Sequence, residues 1–246
     1  MKKIKKVLVI VLIIIVLFLL LIICINKYRE YRYIKLNDIN DIKSEVSEDN
    51  VSNNIEENSN KLDLDNYRNT YNNDEIKGIL SISNSDFEML FAQSQDNSYY
   101  LDHLLNKEYN KLGSTFLDYR VDIDQSKKIN IYGHNNGSVG VSFNYLMNYL
   151  DKNFYDEHRK IIINTNLDTY VYEIFSIQIV DSNYIHMKVD FNSDSSWYDY
   201  LNIVLNNSVF KEEIEVENIS RVLTLQTCTN RYDGEFLLVN ARLITV

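Results

Sequence analysis

The chain has 246 residues, 45% of them hydrophobic, and a formal net charge of −10. That length fits one substantial core with appendages. The acidic balance leaves no Lys/Arg-rich face to displace counterions from phosphates, so a nucleic-acid partner is excluded.

In chain order, the first element is Val7 to Ile25, nineteen consecutive apolar residues. At about 1.5 Å per residue they cover most of a hydrocarbon core about 30 Å thick. The run ends in Leu21, Ile22, Ile23 and Cys24 with no small-residue cleavage site, so it reads as a retained transmembrane helix. Residues 1–35 are therefore expected to be a membrane anchor with basic flanks. Lys2, Lys3, Lys5 and Lys6 on one side balance Lys27, Arg29, Arg32 and Lys35 on the other, and charge leaves the orientation open. Residues 36–75, rich in Asn, Ser, Asp and Glu, read as an acidic polar tether, with a short helix expected over Leu62 to Tyr71.

Residues 76–246 read as one strand-rich domain. Ile129 and Ile131 alternate with polar neighbours, and so do Phe175, Ile177 and Ile179, while Arg221–Cys228 and Phe236–Val246 are β-rich runs. Phe143, Leu146, Met147 and Leu150 have helical spacing. So do Trp197, Leu201, Val204 and Leu205, behind a capping-like Ser196-x-x-Asp199. These apolar stripes read as core rather than as a cofactor box.

The chain has two cysteines, and with Cys24 in the anchor Cys228 has no intramolecular partner. Period-two alternation puts Leu223, Leu225 and Thr227 on one strand face and Val222, Thr224, Gln226 and Cys228 on the other. At a strand end beside Asp233-Gly234, such a thiol can face a groove. A single cysteine is also commonly a small core hydrophobe, and spacing alone does not decide between the two.

Thr224-Leu225-Gln226-Thr227-Cys228 resembles the TLxTC signature of class B sortases, and Tyr132-Gly133-His134-Asn135 resembles their histidine signature after a strand. The resemblance also covers Asp96–Leu101, Gly113–Arg120, Phe143–Tyr155 and Tyr172–Ser176, and so extends over nearly all of residues 76–246. It implies a mainly β fold with added helices, a sortase-type β-barrel preceded by a transmembrane helix. It also implies a cysteine transpeptidase at the outer face of a Gram-positive cell membrane, single-pass, with its catalytic domain extracytoplasmic. The implied partners are the sorting-signal peptide of surface proteins and an amine of peptidoglycan or its precursor. By the family mechanism Cys228 attacks the peptide carbonyl to give a thioacyl enzyme, and His134 serves as general acid and base.

Where the family carries an arginine that binds substrate and stabilises the oxyanion, this chain has Glu235 or Phe236. Arg231, in the loop after the cysteine, is the candidate replacement, its bland alternative being a solvated loop arginine. Arg242 reads as a strand-surface charge. Ser83 and Leu90 stand where prolines are common in the family. Two competing readings stay open: a catalytically weakened sortase-fold surface protein that binds peptides, and a cysteine protease that releases its acyl group to water. His103, His158 and His186 carry no catalytic signature and read as structural or exposed. No cofactor, metal or calcium site is expected, since no ligand spacing or Ca²⁺-loop pattern occurs.

Overall fold

The computed structural model describes residues 2–37, 64–136 and 143–246. The chain divides into two compact units, Met1–Leu36 and Asn37–Val246. In the first, helix α1 (Lys2–Asn37) contains a stretch, Leu8–Arg32, long and apolar enough to cross a membrane by length and composition. Residues 38–63, most of the expected tether, lie outside the described residues.

The second unit is a closed eight-stranded barrel. Its strands are β1 (Ile76–Ile82), β2 (Glu88–Ala92), β3 (Phe116–Leu117), β4 (Lys128–Tyr132), β5 (Lys160–Asn164), β6 (Thr169–Asp181), β7 (Val222–Cys228) and β8 (Glu235–Thr245). They run round the barrel in the order β1-β2-β3-β4-β7-β8-β6-β5, with β5 closing on β1. Most pairs are antiparallel; β2–β3 and β4–β7 are parallel. The helices α2 (Leu64–Tyr71), α3 (Lys152–Glu157) and α4 (Asp194–Asn206) lie between or before these strands.

Period-two alternation divides the apolar residues between two cores. Leu223, Leu225, Leu237, Val239, Ile129 and Ile131 fill the barrel. Outside it, Val222 and Phe175 pack under α4 with Trp197, Tyr200, Leu201 and Val204. The indole Nε1 of Trp197 donates to Ile219 O at 2.8 Å, so the largest buried ring leaves no polar atom unpaired. Each such side chain contributes about 1.5–3 kcal/mol of burial.

Three local readings differ from the sequence pattern. Phe175 and Ile177 lie on opposite faces, because the β6–β8 register shifts between Ile174 and Ser176 and a bulge changes the facing of the strand. Helix α4 is capped three residues earlier than Ser196. Ser193 is its N-cap and accepts from Ser196 N, while Ser196 Oγ closes the reciprocal bond, so Ser196 is the third helical residue and not the cap. Residues Phe143–Leu150 form a 3-10 helix, whose three-residue period buries Phe143, Leu146 and Tyr149 and leaves Met147 and Leu150 half-buried at the core edge. Helix α2, in a stretch polar enough to read as tether, is seated on the domain by Leu64, Tyr67 and Tyr71. Asn73 continues that attachment, with Nδ2 donating to Tyr100 Oη at 2.9 Å and Leu105 O at 2.6 Å.

The segment between β6 and α4 is held to the barrel by its carbonyls. The fully buried Lys128 ammonium donates to His186 O and, at 3.0 Å, to Lys188 O. Asn130 Nδ2 reaches His186 O at 3.3 Å and Arg120 Nη2 reaches Met187 O at 2.9 Å. Three successive carbonyls are thus fixed by β4 and by Arg120, which is itself paired with buried Asp118 at 2.6 Å. Burial pulls the Lys128 ammonium from 10.5 down to about 7, opposed by the attraction of Asp118. The unfolded chain therefore binds more protons than the folded one between about pH 7 and 10 at this site, and stability rises with pH over that window. In Lys128→Met that component disappears, lowering the slope by up to about 1.4 kcal/mol per pH unit. Urea unfolding at pH 7, 8 and 9 checks it; parallel slopes for the two proteins contradict it.

Candidate active site

The parallel β4–β7 ladder pairs Lys128 with Val222 and ends with Tyr132 opposite Gln226. One more backbone bond, Gly133 N to Gln226 O at 3.1 Å, and the Thr227 Oγ1 bond to Gly133 O at 2.8 Å extend it. His134 and Cys228 each follow two residues after the last pair. In-phase parallel strands about 4.8 Å apart thus deliver both side chains at the same level. They line one cavity of about 200 Å³, with Leu101, Phe116, Met187 and Phe236 supplying apolar walls. Cys228 ends its strand exposed, and the opposite strand places Phe236 across from it. Gly133 admits the Phe143 ring beside this corner: a Cβ there would lie 2.7 Å from the ring's Cγ.

The His134 ring is oriented by a main-chain carbonyl. Its Nε2 lies 2.7 Å from Leu101 O, which can only accept, so Nε2 carries the hydrogen. In the neutral ring Nδ1 is then the nitrogen left to exchange a proton. Leu101 ends the 3-10 turn Tyr99–Leu101, anchored by fully buried Tyr100, whose hydroxyl donates to Glu75 at 2.6 Å. Gly113 presses on this turn at φ +59, and a Cβ there would come within 2.5 Å of Tyr100 O and 2.6 Å of Leu101 O. Only glycine meets both demands.

The electrostatics do not favour a resting thiolate. Burial pushes the Cys228 thiol up, and the Asp233 carboxylate adds to the shift. Arg231 is engaged elsewhere. Its Nη2 and Nε lie 2.9 and 3.0 Å from Glu235 Oε1, which also accepts from Thr229 Oγ1 at 2.6 Å. The Thr229 hydrogen bond, with Arg231, holds the Glu235 carboxyl below its usual range. The described lining of the cavity does not include Arg231. Arg242 pairs with Glu173 at 2.7 Å and sits opposite Val222, at the far end of β7. The fold therefore brings Cys228 and His134 together, and places Arg231 on the same hairpin, turned to its own carboxylate.

Sequence reasoning missed several contributors. Leu101 acts through its carbonyl, which no side-chain pattern reveals, although Asp96–Leu101 belongs to the stretch that carries the resemblance. Met187 reaches the cavity from a segment without any motif. Gln226 was placed on the Cys228 face, and its Oε1 is buried there with no hydrogen-bond partner among the described residues.

Comparison with known proteins places these features in one family. The sortase domain family model matches residues 93–246. Sortase B of Listeria monocytogenes is 32% identical over 176 residues, covering 70% of this chain and 71% of that protein. Sortase B of Clostridium perfringens superposes with a TM-score of 0.68 at 23% identity, over 74% of this chain and 100% of that one. A Staphylococcus aureus sortase B–substrate complex superposes at 0.66 and 24% identity, over 74% and 86%. The last two show likeness of fold.

Gly113→Ala tests the carbonyl that orients the histidine. The strained backbone and displaced carbonyl should cost about 1–3 kcal/mol of stability. Ring ¹⁵N NMR of neutral His134 should show Nε2–H in the parent chain and mixed tautomers in the variant; an unchanged ring pattern contradicts this role for Leu101.

Proposed function

Because the chain belongs to the sortase family and is a cysteine transpeptidase of that kind, we propose that Cys228 is its nucleophile and His134 its general acid and base. The observation that carries this reading is that the two side chains share one cavity while the Leu101 carbonyl occupies His134 Nε2. In the first step His134 Nδ1 takes the Sγ proton and the sulfur attacks the scissile carbonyl of a sorting-signal peptide. The tetrahedral intermediate collapses, the imidazolium gives its proton to the leaving amine, the C–N bond breaks and a thioacyl enzyme remains. An amine of peptidoglycan or its precursor then attacks the thioester, loses a proton to neutral His134 and releases the Cys228 thiolate, which recovers that proton.

The raised thiol makes this a proton-transfer mechanism from a resting thiol rather than attack by a standing thiolate. That a relative of the same fold, the S. aureus sortase B, forms a complex with its substrate supports reading a peptide as this chain's substrate. Helix α1 has the length and composition of a membrane anchor, and the same reading sets residues 1–35 in the membrane, 36–75 as tether and 76–246 outside it. Arg231 serves as oxyanion donor in this reading only by exchanging Glu235 for substrate.

Cys228→Ala should abolish peptide cleavage with the fold intact by circular dichroism, and His134→Ala should cost nearly as much. A folded variant that cleaves at the parent rate contradicts the assignment. Arg231→Ala should lower kcat about 10²-fold, the loss seen for one oxyanion donor; an unchanged rate leaves Arg231 as a strut of the hairpin.

A further inference from the structure

The pairing of β4 with β7 stops short of the two reactive side chains. Its last bonds reach Gly133; past that point β4 runs out into a loop, while β7 continues to Cys228 paired with β8 alone. Asn135 occupies the gap. Its Nδ2 donates to the carbonyl of Cys228 at 2.8 Å, so the residue bonded covalently to His134 is hydrogen-bonded to the residue that carries the thiol. Its Oδ1 accepts from Asn144 Nδ2 at 2.7 Å, in the 3-10 helix Phe143–Leu150. Its own carbonyl accepts from Asn230 Nδ2 at 2.7 Å, in the loop just past the thiol. One residue thus ties three segments together, and at 9% exposure its bonds are largely shielded from water.

We propose that Asn135 is a positioning residue that sets the separation of the His134 ring from Cys228 Sγ, completing by side-chain bonds the ladder that β4 and β7 leave unfinished. The inference rests on the reading of Cys228 and His134 as the reacting pair. The sheet fixes the level of the two strands; Asn135 fixes what lies beyond them, where the chemistry is. A displacement of about 1 Å between reacting groups can cost about 10² in rate, so its removal acts on turnover rather than on substrate affinity. Asn230 supports the same clamp. It sits at φ +58, a conformation glycine adopts freely, so Asn230→Gly removes its hydrogen bond to Asn135 without backbone strain.

The test uses the full chain in detergent, with three readouts on Asn135→Ala and Asn230→Gly: thermal unfolding, steady-state kinetics on a cleaved peptide, and the pH profile of Cys228 alkylation by iodoacetamide. Asn135→Ala should lower kcat about 10- to 100-fold with KM within twofold of the parent. Its alkylation profile should move toward that of His134→Ala, because the thiol no longer feels the imidazole at its set distance. Asn230→Gly should move both readouts the same way by a smaller amount, and it supplies the answer if Asn135→Ala does not fold. A folded variant with parental kcat overturns the inference. So does a kcat loss that matches the unfolded fraction while the alkylation profile of the folded protein stays parental. A parent chain that alkylates with a His134-dependent profile yet cleaves no peptide sinks the transpeptidase reading, and the profile shift alone then decides the role of Asn135.

Discussion

Parallel pairing between β4 and β7 is the constraint on which the site depends, since it places two segments distant in sequence side by side and in phase. A one-residue slip would reverse the facing of Gln226 and Cys228, sending the thiol into the leucine-filled barrel. The register is protected by what each face buries. Leu223 and Leu225 belong inside, Val222 belongs under α4, and Thr224 Oγ1 donates to Asn240 Oδ1 at 2.8 Å on the outer face. Every alternative alignment strands at least one of these groups, so packing energy and catalytic geometry favour the same pairing.

Around that ladder the structure uses buried polar groups to hold main chain. Lys128, Asn130 and Arg120 grip consecutive carbonyls from His186 to Lys188 and so set the wall carrying Met187. Tyr132, which also lines the cavity, donates its hydroxyl to Asp118 at 2.7 Å. These hydrogen bonds behind an apolar cavity give it a definite shape, with Gln226 Oε1 left without a partner among the described residues. The histidine is handled in the same way, by a carbonyl whose position Gly113 and buried Tyr100 determine. The thiol, by contrast, is pushed up by burial and by the Asp233 carboxylate.

Much of this was legible in the sequence. The strand alternation in Val222–Cys228 assigned the thiol to the outer face, and the two signatures pointed to the barrel and to the cavity that Cys228 and His134 share. What escaped notice has physical causes. A bulge at Phe175 breaks a period-two pattern without changing composition. The 3-10 helix buries residues three apart, which a 3.6-residue template reads only in part. The short helix expected over Leu62 to Tyr71 does form, as α2, and docks through Leu64, Tyr67 and Tyr71. Arg231 lies as near the cysteine in sequence as expected, but a charge is placed by its partner, and Glu235 is the partner at hand.

The most direct measurement is intact-mass spectrometry of the full chain in detergent, incubated with sorting-signal peptides in the presence and absence of an amine acceptor. A peptide acyl group should appear on Cys228 without amine and pass to the amine when it is supplied. A folded protein whose Cys228 stays free with every peptide would contradict the transpeptidase mechanism and favour a peptide-binding protein on the same barrel.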